Sequence, residues 1–206
     1  MPDNPVEIAA VTTAQWPSVE RLLASGRSSG SCWCQWFRLA PKDYDTGTAD
    51  ERREGLAERI AGGRSRALLA TIAGEPVGWL SFGPVGEFQP RLERWSVAPR
   101  SFEPGAWAIT CLFIREADRR GGVGARLIEA AVDAARSSGA SALVAFPLLA
   151  PAGPGPRRAE GATGVGYVEQ FLAAGFELRR GAIESRPLAV YRFAAGLAAR
   201  IPGTGS

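Results

Sequence analysis

The chain has 206 residues, 46% hydrophobic and 22% charged, a globular composition with length for one sizeable core. Its formal net charge of +3 carries no dominant basic run, so no nucleic-acid partner is expected, and a small anionic molecule fits the balance. Histidine is absent, which excludes Ser-His-Asp and Cys-His nucleophile systems, HExxH zinc hydrolases and imidazole acid–base chemistry.

In chain order, VEIAAV reads as a short first strand, and PSVERLLASG carries Val19, Leu22 and Leu23 at helical spacing, with Gly26 as a stop. SCWCQWFRLA follows neither the helical nor the strand period. TADERREGLAERIAGG opens on a capping box, Thr48 with Glu51, and ends in Gly62-Gly63, which predicts a helix. RALLATIAGEPVGWLSFGP is two strands joined at Ala73-Gly74-Glu75, a hairpin signature. RLERWSV has the composition of a further strand, and WAITCLFI reads as a buried central strand.

GVGARLIEAAVDAARSSGA then places Val123, Leu127, Ile128, Ala131, Val132 and Ala135 on one helical stripe, with Arg126, Glu129, Asp133 and Arg136 opposite. SALVAFPL is another buried strand. APAGPGPRRAEGATG is a long irregular loop, and GATGVG has the look of flexible linker. GYVEQFLAAGF is a short helix ended by Gly175; FELRRGAI and LAVYRFAA are two closing strands, and IPGTGS is a tail. The order βα(α)βββαβαββ describes one mixed α/β domain without repeats.

Three cysteines (Cys32, Cys34, Cys111) are an odd number without repeated spacing, which speaks against a disulfide framework and suits a reducing compartment. They are also poorly spaced as ligands, so no metal is expected. No apolar stretch approaches the roughly 20 residues of a membrane span. MPDNPVEIAA lacks the basic-then-apolar pattern of a secretory signal. A cytoplasmic protein without a membrane partner is the expectation.

The densest chemical signal is DRRGGVGARLIEA. Arg119, Arg120, Gly121, Gly122, Val123, Gly124 and Ala125 lie between the apolar strand Trp107–Ile114 and the amphipathic helix. A helix start presents N–H groups without internal partners and the positive end of the macrodipole. Glycines let an anion come close to those groups, and arginines add bidentate donors. The pattern suits a phosphate or pyrophosphate; a tight strand-to-helix turn with solvated arginines is the plainer alternative. There is no GxxxxGK(S/T) loop, and the G-x-G-x-x-G fingerprint fails because Leu127 occupies its third place.

The segment LFIREADRRGGVGARLIEAA resembles the acetyl-CoA-binding core of the GNAT N-acetyltransferase superfamily. That signature is Gln or Arg, two residues, Gly, one residue, then Gly or Ala, and Arg119, Gly122 and Gly124 fill it here. The element order and the FLAAGF segment before the last strand pair match as well, so the resemblance spans roughly Ala67 to Ala194. It implies an α/β (α+β) fold with a mixed, mostly antiparallel central sheet flanked by helices. It divides a single domain, 1–206, into an acceptor-side segment 1–66, a core 67–196 and a tail 197–206.

The resemblance also implies acetyl-CoA as acyl donor, with its pyrophosphate on the N–H groups of Arg119 to Ala125. Its pantetheine arm would pair with Leu112, Phe113 and Ile114 in the slot where the central strand splays from the next one. The acceptor would be a primary amine of a small molecule or peptide, and a homodimer is compatible with the family. Many members carry a tyrosine acid four residues before the terminal Gly-Phe. Here that position is Phe171, and Tyr167, one turn earlier, is either its substitute or a packing residue. Some members carry a glutamate base on the central strand; no carboxylate occurs between Gly105 and Ile114. These departures leave a non-catalytic acetyl-CoA-binding module as the alternative to an enzyme, and a phosphate-binding protein unrelated to CoA as a third reading. Trp33, Trp36, Phe37, Trp79, Phe82 and Trp95 are either the walls of an acceptor pocket or packing between the N-terminal helices and the sheet.

Overall fold

The structure, a computed structural model, describes residues 5–92, 99, 101–149, 165–183 and 186–193. Among the described residues, seven strands form one sheet: β1 (Val6–Ala10), β2 (Ala67–Ile72), β3 (Glu75–Pro84), β4 (Trp107–Ile114), β5 (Ala142–Ala145), β6 (Glu177–Ile183) and β7 (Arg186–Arg192). Their spatial order is β1-β2-β3-β4-β5-β7-β6, and of the neighbouring pairs only β4 with β5 is parallel. The helices are α1 (Trp16–Ala24), α2 (Arg27–Cys32), α3 (Pro41–Thr46), α4 (Ala49–Ala61), α5 (Gln89–Leu92), α6 (Val123–Ser137) and α7 (Val168–Ala173). This is the mixed, mostly antiparallel sheet flanked by helices that the sequence predicts, with α2, α3 and α5 as short additions.

Local chemistry accounts for the main elements. The β2–β3 hairpin turns on Ala73 and Gly74, with φ of 50° and 79°; two successive positive φ values define the tight turn that matches strand twist. At α4 the amide of Glu51 donates to Thr48 Oγ1 at 3.2 Å, while Glu51 Oε2 accepts from the Thr48 amide at 2.6 Å, so the capping box forms as read.

The sheet has two buried faces. On one, α6 lays Val123, Leu127, Ile128, Ala131, Val132 and Ala135 against Leu68, Leu80, Ile109 and Leu143. Each large aliphatic side chain so buried contributes about 1.5–3 kcal/mol. On the other, α1 and α4 cover Leu69 and Trp79 with Val19, Leu22, Leu23, Leu56 and Ile60. Farther along that second face, Phe37, Phe88 and Phe146 pack over Ala108 and Val144.

Two details depart from the sequence reading, and a third explains a break in periodicity. Arg91 and Leu92 belong to the short helix α5 rather than to a strand; Trp95 and most of the long loop lie outside the described residues. SCWCQWF is aperiodic because α2 ends at Cys32 and Trp33 and Cys34 both turn left-handed, at φ 48° and 58°. Such a conformation disfavours side chains with a Cβ and is kept here by burial of both residues. Finally, Val165 and Gly166 are not linker: Val165 is buried, and Gly166 (φ 79°) packs against the sheet.

Candidate active site

β4 is the strand around which the site is built. Along β3 it is paired from Trp107 to Ile114, with a bulge that inserts Thr110 between Ile109, opposite Phe82, and Cys111, opposite Ser81. Along β5 it is paired only at Trp107 with Leu143 and Ala108 with Val144. Beyond Ala108 the two strands part, so the stretch from Ile109 through Leu112, Phe113 and Ile114 has no ladder to β5. That is the splay the resemblance implies. Leu112 is buried toward α6, while Phe113 is half-buried on the opposite face beside Gly26.

The turn after β4 carries the glycines and arginines. Arg120 has φ 69° and Gly122 has φ 78°, and Gly122 is the residue that starts α6. Among the described residues no side chain caps that helix start, and a Cβ added at Gly122 would meet nothing within 4 Å. At Gly121 it would meet only the Asp118 carbonyl, at 3.5 Å. Among the described residues no side chain fills this corner, and Arg119, Arg120, Gly121 and Gly122 are exposed around it. The Arg119 side chain donates from Nε to the Ile114 carbonyl at 3.2 Å, which ties the turn to the end of β4.

Gly124 does something else. A Cβ there would lie 2.5 Å from Gln170 Nε2, and one at Gly166 would lie 2.8 Å from Gln170 Oε1 and 2.9 Å from Leu112 Cδ2. Gln170, on α7, thus fills the space between the α6 start and residue 166, and both glycines are needed to admit it. Sequence reasoning assigned Gly124 to the anion and passed over Gln170; only the crossing of α6 and α7 reveals the pair.

Tyr167 does not sit one helical turn before Phe171. It is the extended residue at the start of α7, with φ −111° and ψ 152°, its amide donating to Gln170 Oε1 at 2.9 Å. It forms a parallel bridge with Leu148, just past β5. Because Gly166 touches Leu112, this places Tyr167 beside the opened half of β4. Phe171 is fully buried and packs edge-on against Phe176, with centroids 5.2 Å apart.

On the second face the fold brings in a carboxylate that sequence order hides. Glu87, in the turn after β3, has Oε2 3.2 Å from where a Gly83 Cβ would be, and Gly83 pairs with Ala108. Glu87 bridges Arg66 at 2.7 Å and the buried Arg38 at 3.1 Å. Arg38 also donates to Ser81 Oγ at 3.3 Å and lies over the Phe88 ring. A carboxylate thus stands beside Gly83, the β3 partner of Ala108, and comes from the turn after β3 rather than from β4.

The cysteines converge here as well. Trp79 Nε1 donates to Cys34 Sγ at 3.4 Å. The hydrogen bond from Cys111 is the largest influence on the Cys34 thiol and, with the Arg38 charge, outweighs burial and lowers it to about 7; Cys111 is pushed well up, first by that same bond and then by burial. All three cysteines are free, and no group of side chains among the described residues could hold a metal. No helix among them is long and apolar enough to cross a membrane. Trp33 and Trp79 are buried in the seam under α1 and α4, and Phe37 is buried beside Phe146, whereas Phe82 is buried on the α6 face beside Trp107.

The model of the acetyltransferase (GNAT) family matches residues 32–149, more than half of the chain, and the protein belongs to that family. Solved structures with the same fold include the PaiA N-acetyltransferase of Thermoplasma acidophilum in complex with coenzyme A. It is 10% identical with a TM-score of 0.55, over 92% of this chain and 99% of that one. The GNAT family N-acetyltransferase YhbS of Escherichia coli, in complex with CoA, is 19% identical with a TM-score of 0.53, over 94% and 84%. YncA of Salmonella typhimurium, with its cofactor acetyl-CoA, is 17% identical with a TM-score of 0.52, over 95% and 97%. No curated protein matches the chain.

Proposed function

We propose that the protein transfers an acetyl group from acetyl-CoA to a primary amine of a small molecule or peptide, by direct attack within a ternary complex. The observation that carries this reading is the uncapped start of α6 at Gly122, standing at the end of the stretch of β4 that has no partner on its β5 side among the described residues. First-turn N–H groups, the helix dipole and two exposed arginines suit a diphosphate. An unpaired strand edge suits an arm of alternating amide donors and acceptors, added like a strand. Acetyl-CoA carries both, and three structures of the same fold were solved with it or with CoA.

In this reading the backbone from Arg119 to Ala125 binds the pyrophosphate, and Leu112, Phe113 and Ile114 orient the pantetheine. The thioester then lies near the Thr110 bulge, where a backbone N–H freed from the ladder stabilises the oxyanion. The neutral amine attacks the carbonyl carbon, the C–N bond forms and the C–S bond breaks. The attacking nitrogen gives up its surplus proton to water, and the departing thiolate takes up a proton, for which Tyr167 is the candidate donor. Holding the two reactants together supplies part of the barrier reduction without any base.

A second reading, a module that binds acetyl-CoA without turnover, is favoured by the buried Phe171 at the position of the family tyrosine. Release of free thiol from acetyl-CoA across a broad panel of amines separates the two. Amine-dependent thiol above the uncatalysed rate supports the transferase, and tight binding without it supports the module.

A further inference from the structure

Gln170 enters the site with one end of its carboxamide committed and the other open. Oε1 accepts from the Tyr167 amide at 2.9 Å, a bond closed within the first turn of α7. Nε2 stands 2.5 Å from where a Gly124 Cβ would be, and Oε1 2.8 Å from where a Gly166 Cβ would be, with Leu112 Cδ2 beside both positions. The group is therefore wedged between the first turn of α6 and residue 166, against Leu112. The Tyr167 bond also fixes its direction, because the reverse orientation would set an NH2 group against a backbone N–H.

Nε2 carries two donors, and among the described residues neither has an acceptor. Gln170 is half-buried. The fully buried polar atoms without a partner among those residues lie elsewhere, on Gln35, Arg38, Ser65 and Arg91, so Nε2 is an open donor rather than a sealed one. The backbone beside it is the first turn of α6, whose N–H groups also lack helical acceptors and carry the positive end of the dipole. A carboxamide oxygen in this place would cap the turn. The fold commits that oxygen to Tyr167 and leaves the nitrogen here, so donors stand beside donors. An acceptor from outside the chain completes the group.

We propose that Gln170 Nε2 donates to an oxygen of acetyl-CoA beside the first turn of α6, either of the diphosphate or of a pantetheine carbonyl, and so couples carrier binding to the placement of Tyr167. The inference rests on the acetyl-CoA reading and adds to it a residue outside the turn motif. The side chain is already held by the Tyr167 bond and by the two glycines, so little rotamer freedom is lost on binding. Because Oε1 and Nε2 belong to one planar group, whatever holds Nε2 against the carrier also steadies Oε1 against the Tyr167 amide.

The test is calorimetric titration of acetyl-CoA into the full chain carrying Gln170→Glu, beside the parent. That substitution keeps an oxygen for the Tyr167 amide and exchanges only the free donor for an acceptor. With no partner lost, and with a carboxylate favoured near a helix start, the variant without carrier should melt no lower than the parent. At pH about 7.5 its affinity should nevertheless fall about tenfold or more, since oxygen then meets oxygen. Toward pH about 5 the introduced carboxyl takes up protons and regains a donor, so the deficit should narrow. Gln170→Met, which lacks both ends, should bind about three- to tenfold more weakly than the parent at either pH. Repeating the titrations with S-acetyl-pantetheine separates the two acceptors: a deficit that persists assigns the bond to the pantetheine, and one that vanishes assigns it to the diphosphate. Parent and variants binding acetyl-CoA equally, or a deficit that tracks a loss of Tm in the absence of carrier, overturns the proposal and leaves the acetyl-CoA reading standing. A parent that binds no acetyl-CoA overturns that reading instead, and this proposal with it.

Discussion

Ala108 and Val144 are the last residues at which β4 and β5 pair, and past them Gly166 stands against Leu112 on the opened half of β4. The slot proposed for acetyl-CoA is therefore bounded by a strand edge on one side and by the start of α7 on the other. At its far end lies the uncapped start of α6.

Gly122 has a positive φ and open space around it, so Gly122→Ala should cost only the left-handed penalty of about 1–2 kcal/mol. The methyl group would stand before the first-turn amides, so affinity for acetyl-CoA should fall tenfold or more. Thermal melts and titration of the same variant separate the two effects. A full loss of stability with unchanged affinity in the folded fraction would return Gly122 to a purely structural role.

Gly124→Ala should behave differently. Its methyl would collide with Gln170 Nε2, so the disturbance passes to α7 and to Tyr167, whose amide Gln170 holds. Gly124→Ala combined with Gln170→Ala should recover much of the stability lost in the single variant, which a double-mutant cycle in denaturant measures.

Tyr167→Phe tests the proton donor. If the phenol serves the leaving thiolate, kcat falls by roughly one to two orders of magnitude with KM for acetyl-CoA little changed, the lower part of what general acid catalysis contributes. An unchanged kcat assigns Tyr167 to packing.

Glu87→Gln removes the carboxylate that faces Arg38, whose side chain is 1% exposed. Leaving a buried guanidinium without its counter-charge costs about 3–5 kcal/mol, so a clear drop in denaturant midpoint is expected. A variant as stable as the parent would show that Ser81 and the Phe88 ring suffice.

The Cys34 thiol, lowered from 9.0 to about 7 in the fold, makes stability depend on pH. A group whose folded pKa is depressed contributes fully above its unfolded value and loses that contribution as pH falls through the folded value. Stability should therefore rise between pH 7 and pH 9, and Cys34→Ala should flatten that rise in denaturant melts at stepped pH. A profile for Cys34→Ala superimposable on the parent's would contradict the assignment.

Much of this architecture was legible in the chain. The capping box at Thr48, the Ala73-Gly74 hairpin and the stripe of α6 are local signals, and each formed where it was read. The six-residue turn motif located the open helix start because its chemistry is written in consecutive residues. What stayed hidden depends on residues distant in sequence. Glu87 stands near Ala108 only through Gly83, which pairs with Ala108 across β3 and β4, and Gln170 meets Gly124 only because α7 crosses the start of α6. The left-handed pair Trp33 and Cys34 was visible only as a break in periodicity, since burial rather than local preference holds it.

The central claim is that the main-chain amides at the α6 start hold the diphosphate of acetyl-CoA. Calorimetric titration of acetyl-CoA into the parent chain, beside the Gly122→Ala variant, tests it most directly. The account predicts saturable one-to-one binding to the parent that weakens tenfold or more in the variant. Absence of binding heat from the parent, or equal affinity in both proteins, would contradict it.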